Sequence, residues 1–140
     1  MIKSQLILDI LDLILDGLEN EKNLHCQIPF LKEGNQEHTG VGVFINFEAE
    51  PNITNHKIST ANCLTKDVDG NPIERIDGLE LINESLNILA DVSIHLSNGI
   101  IDCVEIWNKN GENYPKEEPK QYQLIQKWID LEKQKTIVRN

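Results

Sequence analysis

The segment VSIHLSNGIIDCVEIW spans Val92–Trp107. On its first arm Val92, Ile94 and Leu96 alternate with Ser93 and His95, the period of a strand with one apolar face. Asn98-Gly99 supplies two residues that tolerate positive φ, as a type I′ hairpin turn requires. Ile100–Trp107 is then the return strand. A two-residue turn fixes the register and sets Leu96 opposite Ile101, Ile94 opposite Cys103 and His95 opposite Asp102. The return arm is apolar on both faces, because Ile100, Val104 and Ile106 alternate with Ile101, Cys103 and Trp107. Such a strand is expected in the centre of a sheet, covered on both sides.

Working outward, Leu6, Ile7, Ile10, Leu11, Leu13, Ile14 and Leu18 recur at helical spacing, with Asp9, Asp12 and Asp16 on the other side. Ser4 suits the start of this helix and Gly17 its end. Residues 20–23 read as a loop. Leu24–Leu31 reads as a strand, at an edge because of Pro29. Glu33–Thr39 reads as a turn. In Gly40–Phe47, Val41, Val43, Ile45 and Phe47 share one strand face, and Pro51 and Asn52 end it. Ile58–Thr65 and Ile73–Ile76 are short strands around the Asp67-Asp69-Gly70 turn, and Gly78–Leu89 is irregular. Asn110-Gly111 marks another turn. From Pro119 a final helix is expected, with Tyr122, Ile125, Trp128, Ile129 and Glu132 on one side, followed by a polar, fraying tail from Lys133. Strands run together between two helices. The expectation is one α+β domain over 1–140, an antiparallel sheet of about five strands carrying an N-terminal and a C-terminal helix.

The 140 residues include 39% hydrophobic and 26% charged side chains, a globular balance. The formal net charge is −10, which disfavours nucleic acid and anionic membrane as partners and favours a basic protein. The same acidity also serves solubility alone. Three cysteines, Cys26, Cys63 and Cys103, form no Cys-x-x-Cys pair and read as reduced thiols in the cytoplasm. Asp9, Asp12 and Asp16 interrupt Met1–Leu18, so it reads as neither signal peptide nor membrane span.

Chemistry-bearing patterns are sparse. His95 with Asp102 is half of a general-base arrangement, but no nucleophile carries a signature beside it, and such pairs also decorate ordinary sheets. His25, Cys26, His56, Cys63, His95 and Cys103 lack the paired spacing of a zinc site. Asp67-Val68-Asp69-Gly70-Asn71 fails as a calcium loop, since Thr65 and Ile76 fall where carboxylates belong. Gly40-Val41-Gly42 is no phosphate cradle. No cofactor and no metal is expected. What remains is acidity: Asp67, Asp69, Glu74, Asp77, Glu80 and Glu84 lie in one stretch, and Glu48 and Glu50 precede it. Loops can gather them on one rim as a field for a basic partner, or leave them as a solvated face. Glu105 shares an otherwise apolar face and needs a partner, for which Arg75 is a candidate.

Asn98–Trp107, followed by Asn110-Gly111 and Tyr114-Pro115, resembles the ending of small bacterial proteins that act as immunity proteins in contact-dependent inhibition and related polymorphic toxin systems. The likeness lies in a hairpin and a turn, and it transfers no binding residue. It implies a bacterial protein made with a cognate toxin, many such toxins being basic nucleases, and neutralising it by direct binding. The leading expectation is therefore a cytoplasmic immunity protein, a monomer or weak homodimer, that occludes the active site of a basic toxin. The competing expectations are a small ligand-binding protein or enzyme with a pocket between helix and sheet, using His95, Asp102 and Glu105, and a homo-oligomer formed through the N-terminal helix.

Overall fold

A computed structural model describes residues 1–59, 64–66, 68–111, 113–127 and 134–140. Helix α1 (Gln5–Leu15) forms where the apolar spacing places it. Ser4 Oγ accepts a hydrogen bond from the Ile7 N–H at 3.0 Å, and the chain leaves the helix at Gly17, whose φ is +85°. Helix α2 (Glu21–Gln27) follows at once and runs into a 3₁₀ turn at Ile28–Phe30.

The strands are β1 (Leu31–His38), β2 (Gly42–Ala49), β3 (Leu64–Lys66), β4 (Pro72–Asn83), β5 (Ile88–Ser97), β6 (Ile100–Asn108), β7 (Tyr122–Gln126) and β8 (Thr136–Arg139). All belong to one antiparallel sheet in the order β1-β2-β6-β5-β4-β7-β8. β3 pairs with the first half of β4, on the edge whose second half pairs with β7. β4 is irregular between Ile76 and Leu79, where Asp77-Gly78 bulges. The expected α+β class and antiparallel sheet hold, with more strands than five.

Both α-helices lie on one face of the sheet, α1 against β4, β7 and β8, and α2 against β6. Leu6, Ile7, Ile10 and Ile14 are buried in one core with Leu81, Leu124, Ile94 and Val104. Asp9 is buried there too, rather than on the solvent side expected of it. Its carboxylate accepts from Arg139 Nε and Nη2 at 2.8 and 2.9 Å, from Tyr122 Oη at 2.6 Å and from Gln5 Nε2 at 2.8 Å. The bidentate Arg–Asp pair satisfies a charge that could not otherwise stay buried, and it ties the last strand to the first helix.

Several local expectations change. Leu24–Leu31 is not a strand: Gln27 completes α2 and Pro29 sits in the 3₁₀ turn, where its missing N–H costs nothing. Residues 33–38 are an edge strand rather than a turn. Their charged sequence suits an edge, where charges discourage pairing with other chains. Gly78–Leu89 is the second half of β4 with a 3₁₀ turn at Glu84–Leu86 leading into β5. No helix begins near Pro119. Tyr122 and Gln126 alternate inward on β7, because tertiary partners await them: Tyr122 meets Asp9, and Gln126 Nε2 donates to the carbonyls of Leu13 and Asp16 at the end of α1. The tail is not frayed, since β8 pairs with β7. Trp128, Ile129 and Glu132 lie outside the described residues.

Candidate functional site

The β5–β6 hairpin forms at Asn98-Gly99, both with positive φ, as the dipeptide requires. Leu96 faces Ile101 as expected, but a bulge follows. His95 then pairs with Cys103, Ile94 with Val104 and Ser93 with Glu105, so Asp102 is the extra, exposed residue and does not face His95. The bulge is held from the core side. Gln27, fully buried, accepts from the Ile101 N–H at 2.8 Å and donates to the carbonyls of His56 and Gly99 at 2.9 and 3.0 Å.

Because of that shift, β6 sends Val104 and Ile106 into the core and Cys103, Glu105 and Trp107 to the other face. This outer face carries no helix among the described residues, so β6 is central in the sheet but covered on one side only. Register lays the face out as a grid. One row across the strands is Gly42, Trp107, Asp91, Glu80 and Ile125; the next is Phe44, Glu105 and Ser93; the third is Asn46, Cys103, His95 and Arg75.

Trp107 is 51% exposed near the end of β6, an interior strand of the sheet. Its neighbour on β2 is Gly42, where any Cβ would lie 1.8 Å from the Ile106 carbonyl oxygen, so no side chain can cover the indole from that position. Beside it, the small Ser93 and the bulged Gly78 leave a groove of about 440 Å³, walled by Trp107, Glu105, Arg75 and Lys127.

The charges around the groove are paired. His95 Nε2 lies 2.8 Å from Glu105 Oε1, and this bond, against the opposing effect of burial, keeps the Glu105 carboxyl below its ordinary value. Arg75 Nε pairs with Asp77 at 3.0 Å. Glu80, buried, receives Lys109 at 2.7 Å and Lys127 at 3.1 Å. Burial alone would raise its carboxyl, and the two ammonium groups outweigh that and lower it. Lys109 also reaches Asp91 at 3.1 Å. The partner expected for Glu105 is thus internal, but it is His95, with Arg75 adding its field.

No activated nucleophile accompanies these groups among the described residues. The Cys103 thiol is pushed up to about 12, by burial first and then by the charges of Asp102, Glu105 and Glu37. Ser93 Oγ makes no hydrogen bond to His95. The space between helix and sheet is filled by the core side chains, and the groove opens on the far side.

The acidic residues singled out by the sequence are dispersed. Glu48, Glu50, Asp69 and Glu74 lie toward the end of the sheet that carries the Asn98-Gly99 turn, as the strand directions require. Glu74 accepts from the Asn98 and Gly99 N–H groups at 2.9 Å each, stapling that turn, and Glu48 pairs with Lys32 at 3.1 Å. Asp77 lines the groove, and Glu80, outside the lining, holds its Lys127. Glu84 is at the opposite end, and Asp67 lies outside the described residues. Sequence reasoning missed Trp107 as a surface residue, because a strand apolar on both faces looks doubly buried.

No family model, curated protein or solved structure matches this chain. The reading of the site rests on its own geometry. Among the described residues, no helix is long and apolar enough to cross a membrane, and no group of three His, Cys, Asp or Glu side chains is placed to hold a metal ion.

Proposed function

We propose that the protein binds a basic protein through the outer face of its sheet and blocks it, as an immunity protein blocks its toxin. The observation that carries this reading is Trp107, half exposed on a sheet face that carries no helix among the described residues and bordered by hydrogen-bonded and ion-paired polar groups. Buried aromatic anchors within a polar ring dominate the energy of protein interfaces. The ring here costs little to desolvate, because its charges already hold partners. The net charge of −10 supplies attraction at a distance, and the exposed Glu48, Glu50 and Glu84 contribute to it. Occlusion needs only that the partner's cationic surface be covered.

The test is capture from the native host with wild-type protein and Trp107→Ala, at low and moderate salt. Because Trp107 is half exposed, its loss should change stability by only about 1 kcal/mol, so the variant reports on binding. A basic protein retained by wild type, lost with Trp107→Ala and released by salt supports the reading. A partner retained equally by both proteins removes the outer face from it.

A further inference from the structure

We infer that the groove beside Trp107 receives an arginine side chain of the partner, with the guanidinium between the indole and the Glu105 carboxylate. This deepens the proposed docking face and rests on it. With His95 neutral, as a hydrogen-bond partner of Glu105, the immediate lining carries Arg75 and Lys127 against Asp77, Asp91 and Glu105, a balance of 2 − 3 = −1. One monovalent cation neutralises it. Arg75 is committed to Asp77, Lys127 to Glu80 and Asp91 to Lys109. Glu105 uses Oε1 for His95, and its second oxygen carries no hydrogen bond among the described residues.

The shape favours the same occupant. Ser93 and the bulge at Gly78 leave the groove open beside Trp107, the one aromatic side chain among its described lining residues. A planar guanidinium is weakly hydrated, stacks on an indole and forks onto a carboxylate; a lysine ammonium is compact and strongly hydrated. The carboxylates come from three different strands, which suits an elongated side chain better than a bare ion.

The experiment is an amide and indole NMR titration of the full chain with N-acetyl-arginine amide. N-acetyl-lysine amide, N-acetyl-norleucine amide and phosphate are run in parallel, with Glu105→Gln and Trp107→Leu as variants whose folding is checked by spectral dispersion. The expected result is saturable shifts at the Trp107 indole N–H and the amides of Gly78 and Ser93. The lysine compound should bind more weakly, phosphate and norleucine amide should leave the groove unmoved, and each variant should weaken arginine binding about tenfold, the size of one cation–π or charge contact. Equal shifts from norleucine amide, or shifts from phosphate, overturn the inference. The two readings fail separately. If the arginine compound leaves the groove silent while capture still depends on Trp107, the docking face stands and the arginine slot falls. If the slot binds arginine but wild type captures no basic protein, the slot stands and the docking reading falls.

Discussion

Gln27 is one side chain that connects the helical layer to the outer face. It is fully buried, and its amide meets three backbone groups: the Ile101 N–H and the carbonyls of His56 and Gly99. The Ile101 N–H sits at the bulge, where the register between β5 and β6 shifts. Replacing Gln27 with Met keeps the volume, leaves the Ile101 N–H and the His56 carbonyl without this partner and removes one of two bonds to the Gly99 carbonyl. A hydrogen bond contributes about 1 kcal/mol net, and an orphaned buried partner costs about 1–3 kcal/mol. The Gly99 carbonyl keeps one other bond, from the Ile58 N–H at 3.2 Å, so its loss is partial. The total is about 3–5 kcal/mol. A domain typically has a stability of about 5–15 kcal/mol, so the variant should be markedly weaker, and in the upper part of that range it still folds.

Urea unfolding followed by far-ultraviolet circular dichroism measures this. With a slope of about 2 kcal/mol/M, the midpoint should fall by about 1.5–2.5 M at unchanged slope. Hydrogen exchange gives the local readout: the Ile101 amide should lose protection ahead of Val104 on the same strand. A midpoint shift under about 0.5 M, with Ile101 still protected, would refute the assignment of the bulge to Gln27.

Two further outcomes follow from titrating groups. Burial opposes ionisation of Asp9, but the bonds from Arg139, Tyr122 and Gln5 and the charge of Arg139 outweigh it and lower its carboxyl below the ordinary value. A carboxyl depressed on folding stabilises above its unfolded value, about 3.9, and that stability is lost as pH falls through the folded value. Melting temperature should therefore drop more steeply below about pH 5 in wild type than in Asp9→Asn; parallel curves would remove Asp9 from the acid response. Cys103, pushed up to about 12, should resist iodoacetamide at pH 8 in the folded protein while the half-buried Cys26 reacts. Peptide mapping checks this, and equal alkylation of both would show that the outer face does not shield the thiol.

What the sequence disclosed were the features with local causes. The hairpin was legible because alternation and Asn98-Gly99 act within a few residues. Helix α1 was legible from its spacing and the Ser4 cap. The bulge was not, because it depends on Gln27, 74 residues away from Ile101. The same distance problem hid Asp9, whose partner Arg139 is 130 residues on, and turned β7 into an expected helix. Tyr122, Leu124 and Gln126 do alternate, but a buried glutamine breaks the apolar signal unless its duty at the end of α1 is known. In the site, Glu105 was recognisable as a carboxylate in need of a partner. The choice of His95 over Arg75 followed from the register shift alone.

The exposed state of Trp107 has a geometric origin. Seven strands in line span six spacings of about 4.8 Å, a sheet roughly 29 Å wide. The 11 residues of α1 make a rod of only about 16 Å, and α2 adds less than two further turns. That helical mass covers one face, and among the described residues no helix lies on the other. The outer face is instead made tolerable to water by paired charges on Arg75, Glu80, His95, Glu105 and Lys109. Trp107 stands outside this arrangement. Its N–H and apolar ring gain nothing from the ion pairs, and Gly42 leaves it open toward β2. A tryptophan retained where a polar residue would serve a solvated sheet better is consistent with a face completed by another molecule. The acidic surface elsewhere would then govern how fast that molecule arrives, and the indole how long it stays.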